Sequence, residues 1–231
     1  MLRKSLIILF ISSTLIYSQI TSKFDFTINY NYTNTSKLFL QPKSSDLIVR
    51  ASYNELEDIY SLSGEIRFQI FESIYTGLWI ETMEKTFTNK NFNLGSISID
   101  INDGYRIIPL ELSLYYFLPF STERFKFYMG GGFGFYFGKS LRKFENISAM
   151  NDGANFGYGI QVSISMDYLI HNFIFLRTQM RFRDPEIELK SRYSNNSFTY
   201  KNRIYYIHSQ NFTTKVNVDG ITFSIGVGIC F

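Results

Sequence analysis

From Phe24 to Phe231, apolar and polar residues alternate with period two in one segment after another. Successive side chains of a strand point to opposite faces, so this pattern predicts an all-β chain whose strands each carry one apolar face. Phe24, Phe26, Ile28, Tyr30 and Tyr32 alternate with Asp25, Thr27, Asn29 and Asn31. Tyr60, Leu62, Ile66, Phe68 and Ile70 alternate with Ser61, Ser63, Glu65, Arg67 and Gln69, and Phe71 to Ser73 leaves room for a tight turn. In the third strand, about Ile74 to Phe87, charge sets the phase. Leu78 is put outward, because the opposite choice would turn Glu81 into apolar surroundings where it has no partner. The fourth strand ends in Leu110, Leu112, Leu114, Tyr116 and Leu118 against Glu111, Ser113 and Tyr115, and Pro109, which cannot donate to a ladder, is expected to bulge or end it. In the fifth strand Phe125, Phe127, Met129, Phe133, Phe135 and Phe137 interleave with Lys126, Tyr128, Gly130, Gly132, Gly134 and Tyr136. Phe156 to Tyr168, Ile174 to Arg183 and Ile221 to Phe231 supply three more strands of the same kind.

Composition excludes several classes. Charged residues make up 19% of the chain and the formal charge is +3, which gives no reason to expect nucleic-acid binding. The single cysteine, Cys230, allows no internal disulfide. The one uninterrupted apolar run, Leu6 to Ile16, follows Arg3 and Lys4 and precedes Ser18, which is the pattern of a signal peptide over residues 1–18. After Gln19 there is no apolar run of about 18 residues, so a helical membrane protein is excluded.

Alternation alone would also suit a soluble barrel with its apolar face turned inward. Three features argue for the reverse. Expected connections alternate between long (33–57, 88–102, 139–154, 184–213) and short, which is the transmembrane barrel pattern. The polar face is rich in Gly and Ser, as a narrow lumen requires. Finally, Phe231 lies in phase with Phe223, Ile225, Val227 and Ile229. The expected fold is therefore an eight-stranded antiparallel transmembrane up-and-down β-barrel over residues 19–231. The segments DGYRIIPLELSLYYFLPFSTERFKFYMGGGFGFYFG and VDGITFSIGVGICF resemble the small bacterial outer-membrane β-barrel families typified by OmpA, OmpX and OmpW. That resemblance implies the outer membrane of a Gram-negative-type bacterium after export, and it makes the final alternating stripe an assembly signal for the outer-membrane insertion machinery. With the chain stopping at Phe231, no peptidoglycan-binding domain is implied.

Charges facing the lumen are the main site candidates, because ionisable groups at membrane depth persist when paired or wet. Glu65, Arg67, Glu81, Glu111, Arg177, Arg181 and Arg183 qualify, and they are expected to form a salt-bridged plug. Aromatics, 24 Phe and 17 Tyr, are read as lipid contacts and interfacial girdles. His208 beside Ser209 invites comparison with lipid A-modifying barrels, but HSQ lacks their His-x-Ser arrangement and adjacent residues of an extended segment diverge. His171, His208 and Cys230 share no ligand spacing, so no catalytic residue, metal or cofactor is expected, and Cys230 is read as lumen filler. The expected role is structural or interactive, with a closed charged lumen and four extracellular loops. Outer-membrane lipid, lipopolysaccharide and an unidentified protein at the loops are the expected partners. The alternative is an OmpW-like narrow channel for small hydrophobic molecules.

Overall fold

The computed structural model describes residues 23–93, 98–207 and 209–231, so the segment read as a signal peptide and His208 lie outside the described residues. The long strands are β1 (Phe24–Phe39), β2 (Asn54–Phe71), β3 (Ile74–Asn93), β4 (Ser98–Phe117), β5 (Phe125–Ser140), β8 (Phe156–His171), β9 (Ile174–Arg183) and β14 (Ile221–Cys230). Shorter ones are β6 (Lys143–Phe144), β7 (Ile147–Asn151), β10 (Glu186–Tyr193), β11 (Ser197–Tyr200), β12 (Arg203–Tyr206) and β13 (Asn211–Asn217), with one helix, α1 (Leu47–Ala51). All pairings are antiparallel. β1, β2, β3, β4, β5, β8, β9 and β14 pair in that order, and β14 returns to β1 through Asp25↔Cys230 to Thr33↔Thr222.

Four of those strands belong to a second ring stacked on the first. Above the ends of β5, β8, β9 and β14, the wall is completed by β6, β7, β10 and β13, and β13 closes it on β1 through Lys37↔Asn217 to Phe39↔Lys215. The two storeys have opposite polarity. Below, side chains such as Ile28, Leu62, Leu78, Leu114, Phe133, Val162 and Val227 face outward while polar and charged groups are buried. Above, Leu38, Leu56, Ile59, Met83, Tyr105, Ile107, Tyr136, Ile187, Leu189, Val216 and Val218 form a conventional buried core. A second apolar cluster, Ile99, Ile101, Phe144, Ile147 and Phe198, packs beneath the β11–β12 hairpin.

Each strand changes storey in its own way. In β1 the buried positions run through Asn29, Asn31 and Thr33 and then shift to Ser36 and Leu38. The partner strand β2 shifts between Leu56 and Ile59, where Asp58 takes a left-handed backbone (φ 55), a conformation that Asp tolerates better than most residues. The Asp58 carboxylate accepts from Tyr32 Oη at 2.9 Å, which holds the kink. In β4 the backbone phase never shifts. Its inward residues simply change from Glu111 and Ser113 to Ile107, Tyr105, Ile101 and Ile99.

These facts correct several expectations. Pro109 neither bulges nor ends its strand: Pro109↔Tyr136 lies in an unbroken register against β5, and the register against β3 is the same at Ile80↔Leu110 and Met83↔Ile107. A proline lacks one donor, so the loss is confined to one side of the strand. Residues 33–57 are not one long connection, since β1 and β2 extend to Phe39 and from Asn54. Residues 88–102 are mostly strand, and the 139–154 and 184–213 segments contain β6, β7 and β10 to β13. The physical reason is that these segments bury apolar residues inward and pair with one another, so they carry a core of their own.

Candidate functional site

Five carboxylates, Asp25, Glu65, Glu81, Glu111 and Asp167, and four guanidiniums, Arg67, Arg177, Arg181 and Arg183, are all buried inside the lower ring. Strand register sets their heights. Asp25 lies opposite Arg67, Asp167 opposite Arg177, and Arg181 opposite Thr222, so the charges climb the lumen in tiers.

Arg177 is the hub of the lowest tier. Its Nε and Nη2 donate to both Asp167 oxygens at 2.7 Å, and its Nη1 donates to Glu65 Oε2 at 2.9 Å and to Thr27 Oγ1 at 3.1 Å. Asp25 Oδ1 approaches Nη2 at 3.2 Å. A planar fork of five donors suits such multiple carboxylate contacts where a lysine would not. Arg67 pairs with the same Glu65 oxygen at 3.0 Å, donates to Ser165 Oγ at 3.2 Å and lies over the Tyr115 ring at 3.8 Å. The Tyr115 hydroxyl in turn donates to Glu65 Oε1 at 2.5 Å. In the tier above, Arg181 pairs with Glu111 and sits over the Trp79 ring at 3.9 Å. Arg183 spans Glu81 at 2.8 Å and Glu111 at 3.2 Å. Ser61 Oγ and Trp79 Nε1 donate to Glu81 at 2.5 and 3.1 Å, and Tyr136 Oη donates to Glu111 at 2.7 Å.

All seven lumen charges singled out in the sequence meet in this network. Reading charge at membrane depth passes over Asp25 and Asp167, although both stand in the polar phase of their strands. Trp79, Tyr115, Tyr128 and Tyr136, which stand in the polar phase of their strands, are likewise buried inside. Their phase carried the signal, and their hydroxyl and indole donors are why a charged lumen accepts them. Some glycines of β5 and β14 make room for inward rings. A Cβ on Gly130 would lie 2.3 Å from the Tyr115 ring, and one on Gly228 would lie 2.3 Å from Phe175.

The other candidates lie apart. His171 is exposed at the end of β8, its ring against Phe173, and Ser209 Oγ donates to the Asn211 carbonyl at 2.9 Å. Cys230 faces the lower mouth of the lumen beside Asp25, Asp167 and Phe175, half-buried because β14 ends there, with Sγ 3.6 Å from the Asn172 carbonyl. Phe223, Ile225, Val227, Ile229 and Phe231 all face outward. Among the described residues no group of three or more His, Cys, Asp or Glu side chains could hold a metal.

Among solved structures, the outer membrane protein OprG from Pseudomonas aeruginosa superposes with a TM-score of 0.60 at 13% identity, covering 91% of this chain and 97% of that one. The fold is that of the small bacterial outer-membrane β-barrels. Neisserial surface protein A (TM-score 0.46, 13% identity, 90% and 97% covered) and Ail, the attachment invasion locus protein of Yersinia pestis (0.46, 9%, 91% and 99%), are more distant likenesses. No protein-family model and no curated protein matches the chain.

Proposed function

We propose that the protein spans the outer membrane of a Gram-negative-type bacterium as a closed eight-stranded barrel, serving as a structural or interaction scaffold that holds an ordered head above the bilayer. The observation that carries this is the filling of the interior: tiers of arginine and carboxylate below, then the apolar layer around Met83, Tyr105 and Leu189, then the cluster under the β11–β12 hairpin. Transmembrane strands need about 9–11 residues. The ring strands have 10 to 20, so several continue into the head. Outward Ile28, Leu62, Leu112, Ile160 and Val227, each 44% exposed or more, would face hydrocarbon.

Planar-bilayer reconstitution tests the closed lumen. The purified protein should give no steady single-channel current, and salt-dependent unitary currents would overturn the scaffold reading in favour of a channel. That second reading draws on an apolar trough of about 730 Å³ outside the barrel, lined by Leu114, Met129, Gly131, Val162, Ile164 and Phe182. A small hydrophobic molecule could rest there, although Tyr115 and Arg67 fill the lumen behind it.

The reading assigns no catalysis. It includes export through a leader over residues 1–18 and recognition of the outward β14 stripe by the insertion machinery. Deleting Phe231, whose backbone bonds to Phe24 in both directions, should reduce membrane insertion more than Cys230→Ser does. Equal amounts of heat-modifiable protein in the membrane fraction for the two variants would remove Phe231 from that role.

A further inference from the structure

Where β5 ends and β6–β7 take over the wall, the sheet leaves a nook of about 520 Å³ lined by Lys139, Ser140, Leu141, Arg142, Lys143, Ser148, Ala149, Met150 and Asn151. No acidic residue lines it. Arg142 is buried at its floor, with Nε donating to Asp103 at 2.5 Å and Nη1 to the Tyr193 hydroxyl at 3.1 Å. Lys139 and Lys143 have no carboxylate partner among the described residues. Around the same storey, by contrast, Lys37, Lys43, Arg106 and Lys215 pair with Asp219, Glu188, Glu84 and Glu186.

The nook's position says what kind of anion it meets. Lys139 stands two residues above Phe137 on the outward row Phe133, Phe135, Phe137, all exposed and apolar. On the next strand Arg106 is its register partner, and it stands likewise above outward Ile108. Basic groups therefore begin where the aromatic run ends, which on the transmembrane reading is the level of the outer-leaflet headgroups. We propose that this nook binds a phosphate group of an outer-leaflet lipid headgroup, with Lys139 and Lys143 as its charged ligands and the acyl chains lying along Phe133 to Phe137. Ser148 and Asn151 supply neutral donors at the same opening. Ammonium groups favour phosphate as point charges, and the contact strengthens where the headgroup excludes water.

The inference rests on the transmembrane reading, so heat-modifiable migration of each protein is checked first: failure to insert strikes the reading, whereas inserted protein tests the site. The full chain in detergent micelles is titrated with fluorescent bisphosphorylated lipid A, with its dephosphorylated form, and with inorganic phosphate as competitor. Removing the lipid phosphates, or making K139Q and K143Q together, should weaken binding by about tenfold or more, while K201Q at the head's tip should leave it unchanged. Equal binding of dephosphorylated lipid overturns the proposal even if the double variant fails to insert. So does equal binding by the double variant, equal loss in K201Q, or displacement by millimolar phosphate, which would mark a site for a free anion.

Discussion

Arg177→Met should lower the stability of the folded barrel by about 3–5 kcal/mol, the usual penalty for leaving buried charge uncompensated. Methionine keeps much of the arginine's length and apolar contact, so the loss is electrostatic rather than a cavity effect. Once the guanidinium is gone, Asp167 loses its paired donors at 2.7 Å, and Asp25 and Glu65 lose one cation each. Arg67 is the other cation of that tier, and it already serves Glu65. Three carboxylates would then share one arginine in a space closed to water except at the rim. Glu111→Ala should do less harm, because Arg183 keeps Glu81 and Arg181 keeps its seat over Trp79. A urea titration followed by Trp79 fluorescence reads both variants, since Trp79 is the sole tryptophan and lies against Arg181. An Arg177→Met midpoint equal to that of the unmutated protein would show that water or protonation compensates the tier. Adding Asp167→Leu to Arg177→Met should recover part of the loss, as replacing a whole buried pair is cheaper than breaking it.

The lower storey was legible in the sequence because one rule, period-two phase with charges turned away from the apolar side, governs every strand there. Trp79 and Glu81 inward with Leu78 and Ile80 outward follow from it. The upper storey obeys the same rule with its polarity reversed. Its segments are short, and they are broken at Asn34, at Asp58, at Asp184 and Pro185, and around Gly220, so their alternation reads as loop. Ile187 and Leu189 carry a clear phase, but nothing local says that they bury against Leu38 and Val216 rather than face lipid. For the site, phase gives which residues enter the lumen, and partner choice does not follow from it. That Arg183 reaches Glu81 across 102 residues, or that Arg177 claims Asp167, depends on strand register and on which rings and glycines leave room.

Val227→Arg tests the outward assignment and should cost about 2–4 kcal/mol if the site lies near the midplane of the belt. Val227 is 57% exposed, lies between Ile28 and Leu176 in register, and has Ile221, Phe223 and Ile225 on one side along β14 and Ile229 and Phe231 on the other. An arginine there can snorkel toward the nearer rim, which pulls the value to the lower end of that range. Gly228 looks like the natural inward control, but it is unsuitable. Its Cβ would meet Phe175 at 2.3 Å and Thr27 at 2.4 Å, so any side chain there strains the barrel for reasons unrelated to lipid. Ser224→Ala is the better comparison, because the Ser224 hydroxyl is buried with no hydrogen-bond partner among the described residues and its removal should change stability little. Depth supplies the second axis: Phe231→Arg, at the rim, should cost about 0–1 kcal/mol through the charge itself. Folding titrations into lipid vesicles that gave the same penalty at 227 and 231 would mean that β14 does not cross hydrocarbon in this orientation. A penalty for Val227→Arg no larger than that of Ser224→Ala would mean that its outward face is not in lipid at all.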